Sequence, residues 1–245
     1  MHAKALSALF FVIGCSVLQA EQPASVPTEA PEVHIIPQDE LRVEACGGPA
    51  VIYIGGMGDE ISGIVLRMMT LAPRVSPTQV RAYYHWHLGV PANVEQGAAQ
   101  LAERISAFRR SNPRADVVLI GHSMGAGSAL RIAKHLTPQD GRVFLITLDP
   151  SDRSCSPERP ECVTWWGNSY VVNSLSDHDY IAVLGGRWNY CSEADVNICF
   201  DGRMRDEAGY NYIHDNAYTL MLSRGRGRHP SLFDSLREAL RRAKK

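Results

Sequence analysis

Short β-rich runs recur along this chain, each separated from the next by a segment of helical periodicity, and that alternation limits the folds open to it. Val51-Ile52-Tyr53-Ile54 is such a run, followed by Ile61, Ile64, Val65, Met68 and Leu71 at helical spacing. Residues 79–85 form a second candidate strand, and Val94, Ala98, Leu101, Ala102, Ile105 and Phe108 then mark one face of an amphipathic helix. Residues 116–120 read as a buried strand, 126–136 as a helix, 142–148 as a strand, and 169–175 as one more. Parallel strands need crossover connections of helical length, and helices on both faces turn their strands into continuous apolar runs. The expected fold is therefore α/β: a mainly parallel central sheet flanked by helices on both faces.

The chain has 245 residues, 45% apolar and 21% charged, enough for one well-cored domain and unlike a disordered chain. Formal net charge is −1, and the one basic stretch is residues 224–245, with eight Lys and Arg against Asp234 and Glu238. No nucleic-acid partner is expected from that balance. Ser231 with Asp234 resembles a capping box, and Leu232, Phe233, Leu236 and Leu240 share one face, so the basic tail reads first as a closing helix. Contact of its cations with anionic lipid is a second use of the same charges.

Residues 1–20 carry Lys4, an apolar run from 5 to 13, and no acid. The run is too short to span a bilayer and reads as a signal peptide, cleaved after Ala20. Val12-Ile13-Gly14-Cys15 offers a second ending, because it resembles the lipobox of bacterial lipoproteins, whose cysteine is acylated. The mature protein is thus expected to be exported, periplasmic or extracellular, either released or membrane-anchored through Cys15. Pro23, Pro27, Pro31 and Pro37 make residues 21–40 a linker, leaving 41–245 as the folded domain. In an oxidising compartment Cys155 is expected to pair with Cys162 and Cys191 with Cys199, leaving Cys46 free or joined to Cys15. No Cys-x-x-Cys pair occurs and His85-x-His87 alone is a weak ligand signal, so no metal site is expected.

One joint between strand and helix carries chemistry. Gly121-His122-Ser123-Met124-Gly125 follows the strand ending at Ile120 and opens the helix containing Ala126, Gly127, Ser128 and Ala129. A serine in so tight a turn is pushed out at the sheet edge, while the helix start supplies free N–H groups and partial positive charge. The bland alternative is a helix-capping serine. Two further residues favour chemistry: Asp149 ends the strand at 142–148, and His214 precedes a late helical stretch. Ser123, Asp149 and His214 fall in the chain order of a strand-borne nucleophile with its acid and base.

With these residues the chain resembles the α/β-hydrolases, the serine esterase and lipase-like members in particular, from about residue 51 to the C-terminal helix. The resemblance implies Ser123 as nucleophile, His214 as base, and Asp149 as the acid. Asp177 and Asp179, flanking His178, are the alternative acids, and His178 is the rival base. Gly55-Gly56-Met57 stands where the family often has His-Gly-X, so Met57 and Met124 N–H groups are the implied oxyanion hole, with Gly55 departing from the usual histidine. The implied activity is cleavage of carboxylic esters or thioesters, from small molecules or lipids, through an acyl-serine, with no metal or organic cofactor. A silent binding protein on the same scaffold and a peptidase or amidase remain the rivals. His85, His87, His122 and His135 read as structural or solvent-facing, and two aromatic stretches, 151–167 with Trp165 and Trp166 and 187–210 with Trp188 and Tyr190, as loops that either wall an apolar substrate site or are simply packed down by their tryptophans.

Overall fold

The computed structural model describes residues 48–174, 182–225 and 229–244, all within the compact unit Ile35–Lys245. The expected signal segment, linker, Cys15 and Cys46 lie outside them, as do Asp177, His178 and Asp179. Six strands, β1 (Ala50–Ile54), β2 (Val80–Tyr84), β3 (Val117–His122), β4 (Val143–Leu148), β5 (Val163–Val172) and β6 (Val196–Asp201), form one sheet in the order β2-β1-β3-β4-β5-β6. Every neighbouring pair is parallel. The helices are α1 (Asp59–Ser62), α2 (Ile64–Leu71), α3 (Val94–Ser111), α4 (Met124–His135), α5 (Ala217–Leu222) and α6 (Leu232–Arg242). This is the α/β architecture that the alternation predicts.

The period of two along β1 explains its unbroken apolar run. Ala50, Ile52 and Ile54 join the core under α3 and α4 with Leu101, Ile105 and Leu130, whereas Val51 and Tyr53 join the opposite core with Met68, Leu220 and Leu236. Local signals fix the helix ends: Asn93 Oδ1 accepts from Gln96 N–H at the start of α3, and Ser231 Oγ accepts from Asp234 N–H at the start of α6, each cap worth about 1 kcal/mol. Leu232, Phe233, Leu236 and Leu240 are all buried beneath α6, roughly 1.5–3 kcal/mol apiece. The basic tail is a closing helix.

Several expectations are corrected. The helical segment through 61–71 is two helices, because Gly63 adopts φ 61° and breaks the turn, leaving Ile61 95% exposed. The strand expected at 169–175 begins at Val163 and takes in both tryptophans, and the stretch 187–210 contains β6 instead of being loop throughout. Trp166 is wholly buried, its Nε1 donating to Thr147 Oγ1 at 3.0 Å, so a residue expected over the site packs the core. The four described cysteines are free thiols, not disulfides. Cys155 Sγ lies against Gly127 O and Cys162 Sγ against Ala133 O, six helical residues apart on α4. Cys191 is buried beside Pro157 O, whereas Cys199 is on β6 next to Tyr170 in register.

Connections leave β1 in one direction and β3 in the other, so the order reverses between them. The loops after β1 and β3 therefore diverge at their carboxyl ends and leave a crevice between them, the place where ligands bind in open α/β sheets. Residues 55–58 and Ser123 stand on its two sides.

Candidate active site

Glycines bring the two sides of that crevice together. A Cβ on Gly121 would lie 2.3 Å from Gly125 O, and one on Gly125 would lie 2.3 Å from Ile54 O and 2.6 Å from Gly55 O. The motif thus lets the first turn of α4 sit directly on β3 and on the end of β1. Gly56 does the same from the other side, since its Cβ would be 2.7 Å from Ser123 Cβ. Between them Ser123 takes φ 55° and ψ −126°, the conformation of the first central residue of a type II′ turn, which favours glycine. Its side chain makes no capping bond to the helix, so the capping alternative fails.

Instead Ser123 Oγ is 2.9 Å from His214 Nε2, and His214 Nδ1 is 2.7 Å from Asp149 Oδ2. A carboxylate only accepts, so Nδ1 carries the imidazole proton and Nε2 is left to accept from the serine hydroxyl. All three residues are buried, Asp149 completely. Asp149, the one candidate acid among the described residues, is in contact with His214. The carboxylate accepts twice more, from Val171 N–H on Oδ1 at 3.0 Å and from Arg187 Nη2 on Oδ2 at 2.9 Å.

His122 is part of the site's frame, not a solvent-facing residue. Its Nε2 lies 2.6 Å from the His214 carbonyl, an acceptor, so Nε2 bears the proton and donates to the backbone of the residue whose side chain faces Ser123. The two rings are 4.7 Å apart. Burial, and then the neighbouring His214, push the pKa of His122 down to about 4, keeping it neutral.

The Met57 and Met124 N–H groups make no backbone hydrogen bond among the described residues, and both residues line the cavity that holds Ser123 and His214. That cavity has a volume of about 320 Å³, and Ile64 and Ala182 add to its apolar wall. Trp165, Trp166, Trp188 and Tyr190 do not line it, which corrects the aromatic-wall expectation. Met57, which lines it, is more than half exposed, as are Ile61, Val183 and Leu184, the chain neighbours of the lining Ser62, Ala182 and Gly185.

Sequence reasoning missed Arg187, placed Gly56 in the oxyanion loop without its contact to Ser123, and left His122 between a structural and a solvent-facing reading. Gly56 had a local signal, the glycine pair after a strand; Arg187 and His122 had none, because their partners are remote in the chain. His85 and His87 stack at 5.6 Å and face Glu60, and among the described residues no group of three His, Cys, Asp or Glu side chains is gathered as a metal would need.

No family model and no curated protein matches the sequence. Among solved structures, a cutinase-like protein from Cryptococcus sp. is 17% identical with a TM-score of 0.38, over 72% of this chain and 92% of that one. The NocB thioesterase domain, in covalent complex with a fluorophosphonate nocardicin G analog, is 16% identical with a TM-score of 0.42, over 81% and 96%. RedJ, with a PEG molecule bound in its active site, is 12% identical with a TM-score of 0.44, over 90% and 95%. The chemistry of the site rests on its own geometry.

Proposed function

We propose that this protein is a serine hydrolase that cleaves carboxylic esters or thioesters through an acyl-serine intermediate. The observation that carries the reading is the unbroken chain from Ser123 Oγ through His214 to the buried Asp149, opening beside two unengaged N–H groups. A serine hydroxyl is a poor nucleophile near neutral pH. His214 Nε2 would take its proton as Oγ bonds to the carbonyl carbon, while Asp149 holds the tautomer and stabilises the imidazolium. Met57 and Met124 N–H would bind the charge developing on the carbonyl oxygen, a role worth about 3–4 kcal/mol per donor in other enzymes. The bond to the leaving oxygen or sulfur then breaks, and Nε2 returns the proton to that atom. Water, activated by the same imidazole, releases the acid and restores Ser123.

An apolar acyl group of modest size is the substrate class that the cavity supports, since about 320 Å³ is at the small end of ligand sites, which run from about 300 to 1,000 Å³. The exposed Met57, Ile61, Val183 and Leu184 around its mouth favour a lipid or lipid-like ester presented at an apolar surface. Export of the protein, with its N-terminus freely cleaved or acylated at Cys15, belongs to the same proposal and rests on residues 1–20; among the described residues no helix is long and apolar enough to cross a membrane.

An active-site-directed fluorophosphonate should label Ser123 stoichiometrically and abolish hydrolysis of acyl esters. A folded protein that resists the reagent would instead be a binding protein, and turnover of amides at rates matching esters would move the reading to a peptidase. Asp149→Asn should cost roughly 10⁴-fold in kcat by the precedent of other triads, with Asp179→Asn close to wild type. The opposite ranking would transfer the acid role to Asp179.

A further inference from the structure

Arg187 lies in none of the motifs that point to the site, yet the backbone delivers it there. Trp188 N–H donates to Pro150 O at 2.9 Å, Asp152 N–H to Gly186 O at 3.3 Å, and Arg153 N–H to Gly185 O at 2.9 Å. Ser151 and Arg187 form an antiparallel bridge. Residues 185–188 are thus laid along 150–153, the residues that follow Asp149, and the Arg187 side chain reaches the carboxylate. Its Nη2 donates to Asp149 Oδ2 at 2.9 Å and its Nη1 to Val171 O at 3.4 Å. Val171 N–H in turn donates to Asp149 Oδ1, so guanidinium and β5 backbone hold the carboxylate from both sides.

The oxygen that Arg187 takes is the one that His214 uses. Two donors, one permanently charged and one charged only after it accepts a proton, share Oδ2. Asp149 has no exposed surface and the Arg187 side chain is 10% exposed, so water screens their interaction weakly. A fixed cation there opposes a second cation on the imidazole and neutralises part of the charge that would stabilise it. Among the described residues the other groups at His214 are Ser123 at Nε2 and His122 from the end of β3, which is neutral, while Asp215, the next residue in the chain, lines the same cavity. The Asp59 charge acts on His122.

We propose that Arg187 is a positioning residue that fixes the Asp149 carboxylate and sets a permanent positive charge against the oxygen that His214 uses, so that removing it changes how the base takes up a proton. The kinetic side of this inference rests on the hydrolase reading; the titration of the imidazole does not.

The test is the titration of His214, followed by NMR of ¹³C-labelled histidine in the full chain and assigned by loss of the signal in His214→Gln. Arg187→Met and Arg187→Gln both remove the charge, and each should raise the midpoint by about one pH unit or more, the usual effect of losing a cation within a few ångströms. Arg187→Lys restores the charge without the two-pronged grip, and should leave the midpoint near wild type while lowering kcat with KM unchanged. An unmoved midpoint in the Met and Gln variants overturns the proposal. If neither of these folds, the Lys variant decides alone, and a midpoint raised by a full unit there overturns it. The acid limb of kcat/KM should move with the NMR midpoint. An inactive wild type would defeat the hydrolase reading while leaving the titration to judge Arg187.

Discussion

Replacing Ser123 with glycine should inactivate the protein and make it more stable than its alanine counterpart. Ser123 sits at φ 55° and ψ −126°, and holding a residue with a Cβ in such a region costs about 1–3 kcal/mol. Alanine keeps that strain; glycine relieves it. Against the relief stands the larger conformational entropy that glycine loses on folding, about 0.5–1 kcal/mol. The difference leaves Ser123→Gly about 1 kcal/mol more stable than Ser123→Ala, within a range of about 0–2.5 kcal/mol. Both variants lose the hydroxyl and its bond to His214, so that contribution cancels between them. For a domain of this size a gap of about 1 kcal/mol corresponds to a melting temperature about 2–4 °C higher for glycine. Urea unfolding of the two variants side by side, with ester hydrolysis measured on the same samples, makes the comparison. An alanine variant as stable as the glycine one, or more so, would refute the claim that the turn stores strain at the nucleophile position.

Gly125→Ala should lower activity at least 100-fold, in the range seen when an oxyanion-hole donor is lost, because its Cβ would fall 2.3 Å from Ile54 O and force α4 away from β1; full activity with an unchanged melting point would count against that packing. His122 is held neutral at a pKa of about 4, below the ordinary 6.5. Its contribution is therefore complete above pH 6.5 and declines as the pH falls toward 4, because the unfolded chain takes up a proton that the folded one refuses. The stability gap between wild type and His122→Asn should close by about 3 kcal/mol between pH 7 and pH 4, and a gap independent of pH would sink the assignment. Cys155, Cys162, Cys191 and Cys199 should all be alkylated on unfolding without reductant. The first three should resist alkylation in the native state, Cys162 most of all, since burial pushes its thiol pKa up to about 11. A peptide linking Cys155 to Cys162 would contradict the thiol assignment.

Much of the fold was legible because its signals are local. The run at 51–54 and its counterparts at 116–120 and 142–148 needed only the rule that strands buried on both faces are apolar throughout. Where two influences competed, the local reading failed. The tryptophans at 165 and 166 suit either a loop wall or a strand, and the parallel pairing of β5 with β4 decided for strand. Ile61 fits the helical period of its neighbours, but Gly63 turned its short helix so that the side chain faces water. Sequence spacing favoured short disulfide loops, whereas α4 separates Cys155 from Cys162 by nearly two turns.

For the site the division is sharper. Glycines around Ser123, an Asp ending the strand after it and a histidine late in the chain announced which residue types would meet, since a turn that tight and a strand end are properties of neighbouring residues. Which carboxylate His214 meets, which oxygen of it Arg187 shares, and how close Gly56 lets the opposite loop come to Ser123 depended on the order in which six strands lie side by side. Periodicity records which face of an element is apolar. It carries nothing about which two remote side chains a sheet will bring within 3 Å of each other, because that distance is set by backbone dihedrals and register summed over the whole intervening chain.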